Sequence, residues 1–222
     1  MTRHLALEID KLKQMILRLS DTVSESVRKS VEALRKRDVQ LAEDVIKADS
    51  VIDRMEVDSE EECLKVLALH QPVAGDLRFI VAILKINSDL ERIGDFAVHI
   101  SDKAILLSQQ KAVSVPDEFF EMAEKTQIMM KKSIEALMNL NVDLAKSISN
   151  SDDEIDDLNK RISDQAKAEI RIHPENLDPL SNLLSVSRSI ERIADHVTNI
   201  AEDLIYMIEG EIVRHKARDN KL

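Results

Sequence analysis

The sequence is poor in the residues that build sheets, interrupt helices or cross-link small folds. Its 222 residues include no tryptophan, one tyrosine, three glycines, four prolines and one cysteine, and only 2% are aromatic. Aromatic residues favour strands, whereas glycine and proline interrupt helices. Because both groups are scarce, the composition predicts long helices and little or no sheet. The single Cys63 excludes an internal disulfide and is typical of a reducing compartment.

The chain also lacks a basic face and a long apolar run. Its net charge is −11, so DNA and RNA are repelled on balance. The longest apolar run covers residues 79–84, far short of the roughly 20 residues of a membrane span. The N-terminus becomes charged almost at once and shows no signal-peptide pattern. We therefore expect a cytoplasmic protein without a membrane span and without a nucleic-acid partner.

Apolar residues recur every three or four positions, a spacing typical of amphipathic helices. The pattern predicts helices over residues 3–34, 39–69 and 73–107. Asp38 is expected to cap the second helix, and Pro72 to end it. The periodicity is lost over residues 108–116, which indicates a linker.

After the linker the pattern starts again. Three segments match at an offset of 103: residues 31–34 with 134–137, 38–42 with 141–145, and 49–53 with 152–156. The sequence Glu-Arg-Ile-x-Asp then occurs at residues 91–95 and 191–195, at an offset of 100. About three residues are therefore lost in the second copy, near residues 171–174. We predict an all-α fold of two tandem three-helix bundles, over residues 1–110 and 111–222; a single six-helix bundle is the alternative.

Four acidic pairs with four-residue spacing fall at matched places in the two copies. This spacing puts two carboxylates one turn apart on one side of a helix, and neighbouring helices can bring two pairs together. Oxygen ligands suit iron, Mg²⁺ or Mn²⁺ better than Zn²⁺. The helical period places the pairs of the third helices opposite the apolar stripe, facing outward. The candidate metal ligands are Asp49, Asp53, Glu91 and Asp95 in the first copy, and Asp152, Asp156, Glu191 and Asp195 in the second.

The acidic pairs are also compatible with two functions that differ from a regulatory metal site. A solvated face of a helical scaffold without metal shows charges opposite its apolar stripe as well. A ferritin-like di-iron carboxylate enzyme needs Glu-x-x-His motifs with inward side chains, and none of the six histidines follows a Glu at that spacing. The sequence also contains no Gly-rich phosphate loop. We therefore expect no catalytic activity and assign no catalytic residue.

Several motifs together resemble the PhoU family: LERIGD at residues 90–95, IERIADH at 190–196, QPVAGDLR at 71–78 and EGEIVRHK at 209–216. The resemblance covers essentially the whole chain. It implies a cytoplasmic regulator of phosphate uptake and phosphate-starvation signalling. Such a regulator connects a phosphate ABC transporter to a sensor histidine kinase, and we expect a homodimer. The resemblance also implies divalent or trivalent metal ions, held at the surface as multinuclear clusters by the eight carboxylates named above.

The two copies depart from each other after the motif aspartate. The second copy has His196 and Asn199, as the family often does, whereas the first has Phe96 and His99. We therefore expect the first site to bind a different metal, to bind more weakly, or to use His99 as a ligand. A further asymmetry is an asparagine at position 159 where the first copy has a glutamate.

Overall fold

The computed structural model describes residues 3–149 and 151–210, which form seven α-helices, one short 3-10 helix and no strand. The helices are α1 (Arg3–Lys36), α2 (Val39–His70), α3 (Ala74–Gln109), α4 (Asp117–Asn139), α5 (Val142–Ser149), α6 (Asp152–Ile172) and α7 (Leu177–Glu209), with the 3-10 helix at Pro174–Asn176. The all-α prediction is confirmed. Within these residues no helix combines the length and the apolarity needed to cross a membrane. Most of the motif at residues 209–216 lies outside the described part of the chain.

The helix boundaries follow local sequence signals. The side chain of Asp38 accepts a hydrogen bond of 3.0 Å from the backbone N–H of Leu41. Asn141 accepts an equivalent bond of 3.0 Å from Leu144, so both copies begin their second helix with the same kind of cap. Gln71, with φ of 44°, lies in the left-handed region and ends α2 before the proline.

Each copy forms one three-helix unit. In the first unit α1, α2 and α3 pack on one another, and in the second unit α4, α5 with α6, and α7 do so. Helices α5 and α6 together occupy the place that the continuous α2 has in the first unit. One residue, His173, separates α6 from the 3-10 helix that leads into α7, whereas three residues separate α2 from α3, so the chain is shorter where the sequence predicts the loss of three residues. Two tandem three-helix bundles are thus confirmed, while the division at residues 110 and 111 stays a prediction.

The third helices of the two units, α3 and α7, pack antiparallel at the centre of the molecule. Lys85 on α3 bonds Asp203 on α7, whereas His99 on α3 contacts Ser185 on α7, so residue numbers rise along one helix as they fall along the other. Buried apolar side chains from both units form one continuous core. Helix α3 has 36 residues and rises about 54 Å, and α7 has 33 residues, so this pair joins the longest helix of each unit.

Candidate metal centres: two acidic clusters

The first acidic cluster lies between α2, which carries Asp49 and Asp53, and α3, which carries Glu91 and Asp95. Burial raises the pKa of Asp49, and the neighbouring carboxylates of Asp53 and Asp95 raise it further. Burial also raises the pKa of Glu91, with a further contribution from Asp95. The four carboxylates predicted for this copy are therefore close enough to repel one another.

Gly94 allows α2 and α3 to approach closely at this cluster. A methyl group on Gly94 would lie 3.2 Å from Cγ2 of Ile52 and 3.6 Å from Oδ1 of Asp49. The carboxylate of Asp49 therefore lies against α3 within the Glu-Arg-Ile-Gly-Asp motif itself. The second copy has Ala194 at the matched position, where the side chain is fully buried.

The second cluster repeats this arrangement between α6 and α7. Burial raises the pKa of Asp152 to about 6, and the carboxylates of Asp156 and Asp195 add to that effect. The pKa of Glu191 is likewise raised by burial and then by Asp195 and Asp156. The four carboxylates predicted for the second copy are thus also brought together.

Both clusters lie at the surface, as the helical period predicts, but their glutamates are more enclosed than an outward face implies. The side chain of Glu91 is 26% exposed, whereas that of Asp95 is 46% exposed. Matched arginines lie at the outer edge: Nη1 of Arg92 is 3.3 Å from Oδ2 of Asp95, and Nη1 of Arg192 is 3.4 Å from Oδ2 of Asp195. Each cluster therefore combines four carboxylates with one arginine from the same motif.

The donor set of each cluster fits a hard cation. The donors are carboxylate oxygens whose mutual repulsion a positive ion would relieve. In the first cluster Asn87, one turn before Glu91, has a buried amide oxygen with no hydrogen-bond partner among the described atoms. In residues 3–149 and 151–210 no three His, Cys, Asp or Glu side chains are already converged on one ion position. The eight metal ligands therefore stay predictions.

Glu56 belongs to the first cluster, although it is not among the predicted ligands. Burial raises its pKa, with contributions from neighbouring carboxylates that include Asp53. Nδ2 of Asn87 donates to the backbone oxygen of Glu56 at 2.9 Å and to its Oε1 at 3.1 Å. In the second unit Oδ1 of Asn159 instead accepts a bond of 2.6 Å from Ser187. The sequence signal that places Glu56 near the cluster is its spacing, because it follows Asp53 by one turn on the same side of α2.

The histidines that follow the two motifs contact the α3–α7 interface. Nε2 of His99 lies 3.0 Å from Oγ of Ser185. Nδ1 of His196 lies 2.8 Å from Oδ1 of Asp89, which also accepts a bond of 3.4 Å from Asn199. His99, one of the three alternatives for the first site, thus directs Nε2 to the second unit, and its use as a ligand stays a prediction. Phe96 and His196 stand at matched positions of the two copies, and their ring centres lie 5.8 Å apart, so the residues that differ after the two motifs lie where matched faces of α3 and α7 meet.

Known proteins share both the sequence pattern and this architecture. The family profile described as the PhoU domain matches residues 16–104 and 119–204, one match for each unit. The chain belongs to the PhoU family. It is 40% identical over 209 residues to the phosphate-specific transport system accessory protein PhoU homolog of Aquifex aeolicus, covering 94% of this chain and 95% of that one. The homolog from Clostridium acetobutylicum is 34% identical over 207 residues, covering 93% and 94%.

Solved structures of PhoU proteins have the same fold. The crystal structure of PhoU from Pseudomonas aeruginosa matches with a TM-score of 0.88 and 32% identity, covering 93% of this chain and 99% of that chain. The phosphate transport system regulatory protein PhoU from Streptococcus pneumoniae matches with a TM-score of 0.88 and 30% identity, covering 94% and 99%. Each PhoU domain of the present chain contains one complete acidic cluster, so the family repeat and the clusters coincide.

Proposed function

We propose that this PhoU-family chain regulates phosphate uptake and phosphate-starvation signalling as a metal-binding adaptor. The names of its relatives, phosphate-specific transport system accessory proteins, support a role in the regulation of phosphate transport. In this proposal the chain acts in the cytoplasm as a homodimer, without catalysis. It contacts the cytoplasmic subunits of a phosphate ABC transporter and a sensor histidine kinase.

The observation that carries the proposal is the pair of matched four-carboxylate clusters. Carboxylates held this close destabilise a fold unless a cation offsets their repulsion. One arginine beside each cluster offsets only part of it. Iron, Mg²⁺ or Mn²⁺ would be held by Asp49, Asp53, Glu91 and Asp95 in the first unit, and by Asp152, Asp156, Glu191 and Asp195 in the second.

The clusters would act by joining helices and by changing surface charge. A bound ion supplies positive charge between two helices. The carboxylates of α2 and α3 then hold those helices together, and those of α6 and α7 do the same. Because α3 and α7 also form the interface between the units, both clusters border the helices that fix the shape of the whole molecule. With an ion bound, the surface around each cluster is less negative than without it, and it therefore favours different partners. Each partner shifts the conformational equilibrium of the chain toward the state that the partner binds better.

Binding measurements with purified partners test the adaptor. The chain is titrated by calorimetry against the transporter's ATP-hydrolysing subunit and against the kinase, once with Mn²⁺ and once with a chelator. We expect both partners to bind, and to bind more tightly with the ion. Asp157→Asn, at an exposed position of α6 outside the predicted ligands, serves as the control and should bind like the parent chain. Absence of binding to both partners under both conditions would refute the adaptor.

A metal-independent scaffold is the second candidate. It is favoured by the arginine–aspartate pairs within each motif, which are what an ordinary solvated helix face also shows. In that case Asp195→Ala leaves partner affinity and melting temperature unchanged, and elemental analysis of the purified chain finds no bound metal.

A further inference from the structure

The outward side of α2 carries apolar residues where a solvated helix ordinarily carries charges. The inward side is marked by Ile52 and Val66, which are each 1% exposed. At 3.6 residues per turn, the side opposite to them passes through positions 57, 64 and 68. These positions hold Val57, Leu64 and Ala68, which we call the outward line of α2. The side of the helix most distant from the core is therefore apolar over about three turns.

The side chains of the outward line are in contact with solvent. Val57 is 49% exposed and Leu64 is 52% exposed, and Ala68 is exposed as well. Helices α1 and α3 pack on the other side of α2. A single exposed valine or leucine is ordinary on a protein surface. Two that are seven residues apart lie one above the other along the helix, which is the spacing that a second helix packs against.

The second unit has charged residues at the matched positions. At the offset of 103 the outward line corresponds to Lys160, Lys167 and Arg171 of α6, and all three are exposed. The two helices are in the same register, because Ile52 and its counterpart Ile155 are both buried. The same place in the same fold therefore accepts charged residues, so the stability of the unit does not explain the apolar line on α2.

Acidic residues border the outward line on both sides. Asp58, Glu60 and Glu61 are exposed, and their carboxylates form no hydrogen bond or ion pair with another side chain in the described part of the chain. Glu60 lies on one side of the line and Glu61 on the other. Residues 54–68 include five acidic and two basic residues, whereas the matched residues 157–171 include three acidic and four basic ones. The outward side of α2 is thus both apolar and negatively charged, and that of α6 is neither.

We propose that the outward line of α2 docks a basic amphipathic helix of a partner protein. Apolar side chains of the partner, spaced by seven residues, pack on Val57 and Leu64. Lysine or arginine residues at the edges of the partner helix face Glu60 and Glu61. The outward line contains none of the eight predicted metal ligands, so the proposal goes beyond the metal-binding adaptor and needs no metal.

The charges favour a partner protein over a second copy of this chain. Two copies of α2 that met through their outward lines would bring Glu60 and Glu61 of one copy against the same acids of the other, and like charges disfavour such a contact. The outward side of α6 in a second copy is basic, but it has Lys160 and Lys167 in place of the apolar line. Neither face of this chain therefore matches α2 in both charge and apolarity.

A designed peptide is the probe. It has three heptads, with leucine at the first and alanine at the fourth position of each and lysine at the flanking positions. The fluorescent peptide is titrated with the full-length protein and followed by anisotropy, with a chelator throughout, so the result does not depend on the metal of the adaptor. We expect saturable binding with a Kd on the order of 100 µM. A peptide of the same composition without the heptad spacing should bind at least tenfold more weakly.

Two double variants with the same change in charge locate the binding. Val57→Lys with Leu64→Lys gives α2 the residue type of the second unit and should weaken binding at least tenfold, because the apolar contacts are lost. The matched control, Leu106→Lys with Ile128→Lys, replaces side chains that are 44% and 47% exposed elsewhere on the surface. Non-specific attraction of the basic peptide falls equally in both variants, so the control should weaken binding less than threefold. Circular dichroism checks that both variants fold.

A third variant tests the acids without touching the apolar line. Glu60→Gln with Glu61→Gln should weaken binding severalfold, because the lysine residues of the peptide lose their partners. Unchanged binding in this variant would overturn the basic character assigned to the partner.

Three further results would overturn the proposal as a whole. One is no saturable binding of the heptad peptide, and another is equal weakening by the two lysine variants. The third is a sedimentation experiment in which the free protein is a dimer that Val57→Lys with Leu64→Lys dissociates, because a second copy of this chain would then occupy the outward line.

Discussion

The two acidic clusters use the same helices and the same four-residue spacings, yet their surroundings differ. In the second cluster burial raises the pKa of Asp152 to about 6, whereas the first cluster distributes its charge over an additional acid, Glu56. The second unit has Asn159 at that place, paired with a buried serine. The motif therefore determines which carboxylates meet, while residues outside it determine how strongly each cluster favours a proton or a cation.

Removing the acids of one cluster at a time should have the largest effect. Glu91→Gln with Asp95→Asn should abolish metal binding in the first unit, and Glu191→Gln with Asp195→Asn should abolish it in the second. At a free metal concentration about 100 times the Kd, each lost site removes about 2.7 kcal/mol of stabilisation. Mass spectrometry for metal content and denaturant unfolding measure both quantities. Unchanged metal content in both variants would show that the clusters are not the binding sites.

A substitution at the interface between the units should have the next largest effect on the free energy of unfolding. Oδ1 of Asp203, whose side chain is 2% exposed, lies 3.3 Å from Nζ of Lys85. The repeat relates Lys85 to Ser185 and Asp203 to Lys103. The matched positions therefore do not form a second Lys–Asp pair. Lys85→Met should lower the free energy of unfolding by about 2 kcal/mol, less than for a fully buried pair because the lysine is half-exposed. Lys103→Met is the control, with an expected change below about 0.5 kcal/mol.

Ionisation of Asp152 should make the stability of the second unit depend on pH, and this effect should be smaller than the two above. Its pKa is 3.8 without perturbation and about 6 in the folded protein, so the free energy of unfolding falls as the pH rises from about 4 to about 6, and the loss is complete above pH 6. After allowance for partial solvent access, Asp152→Asn should stabilise the metal-free protein by about 1–2 kcal/mol at pH 7.5. That gain should shrink between pH 6 and 4 and vanish below the unperturbed pKa.

Urea unfolding with a chelator, at several pH values, measures this gain. Asp157→Asn is the control on the same helix and should show no comparable dependence. A gain that grows as the pH falls would contradict the assigned cause.

Exchanging the residues that distinguish the clusters should have the smallest effect. Glu56→Asn removes one acid from the first cluster and should raise the metal-free stability by about 0.5 kcal/mol. Asn159→Glu adds one acid to the second cluster and should lower it by a similar amount. Thermal melting with a chelator measures both, and changes of the same sign would show that charge does not explain the difference between the clusters.

Local signals in the sequence predict much of the fold. The cap at Asp38, the end of α2 before Pro72 and the shortened turn after α6 all appear where composition and spacing place them. The eight carboxylates also lie in two groups whose members raise one another's pKa, because a four-residue spacing fixes the side of a helix on which a pair lies. That they bind a metal stays a prediction.

The parts that local pattern does not predict depend on contacts between distant residues. Periodicity does not show that α3 of one unit packs against α7 of the other, so the roles of His99 and His196 at that interface were not foreseen. The separation of α5 from α6 was also missed, although Ser151 and Asp152 are residue types that favour the start of a helix. The spacing after Asp53 places Glu56 on the cluster side of α2, but its contact with the first cluster also depends on how closely α2 approaches α3.

The central pairing of α3 with α7 has a consequence for synthesis of the chain. Lys85 and Asp203 are separated by 118 positions, so the first unit leaves the ribosome long before its partner helix exists. At about 5–20 residues per second, one apolar side of α3 waits on the order of 5–20 s for the second unit. We expect closure of the core to be a late, slow step, since contacts this distant in sequence slow folding. During that interval the nascent first unit is the form of this protein most in need of a chaperone.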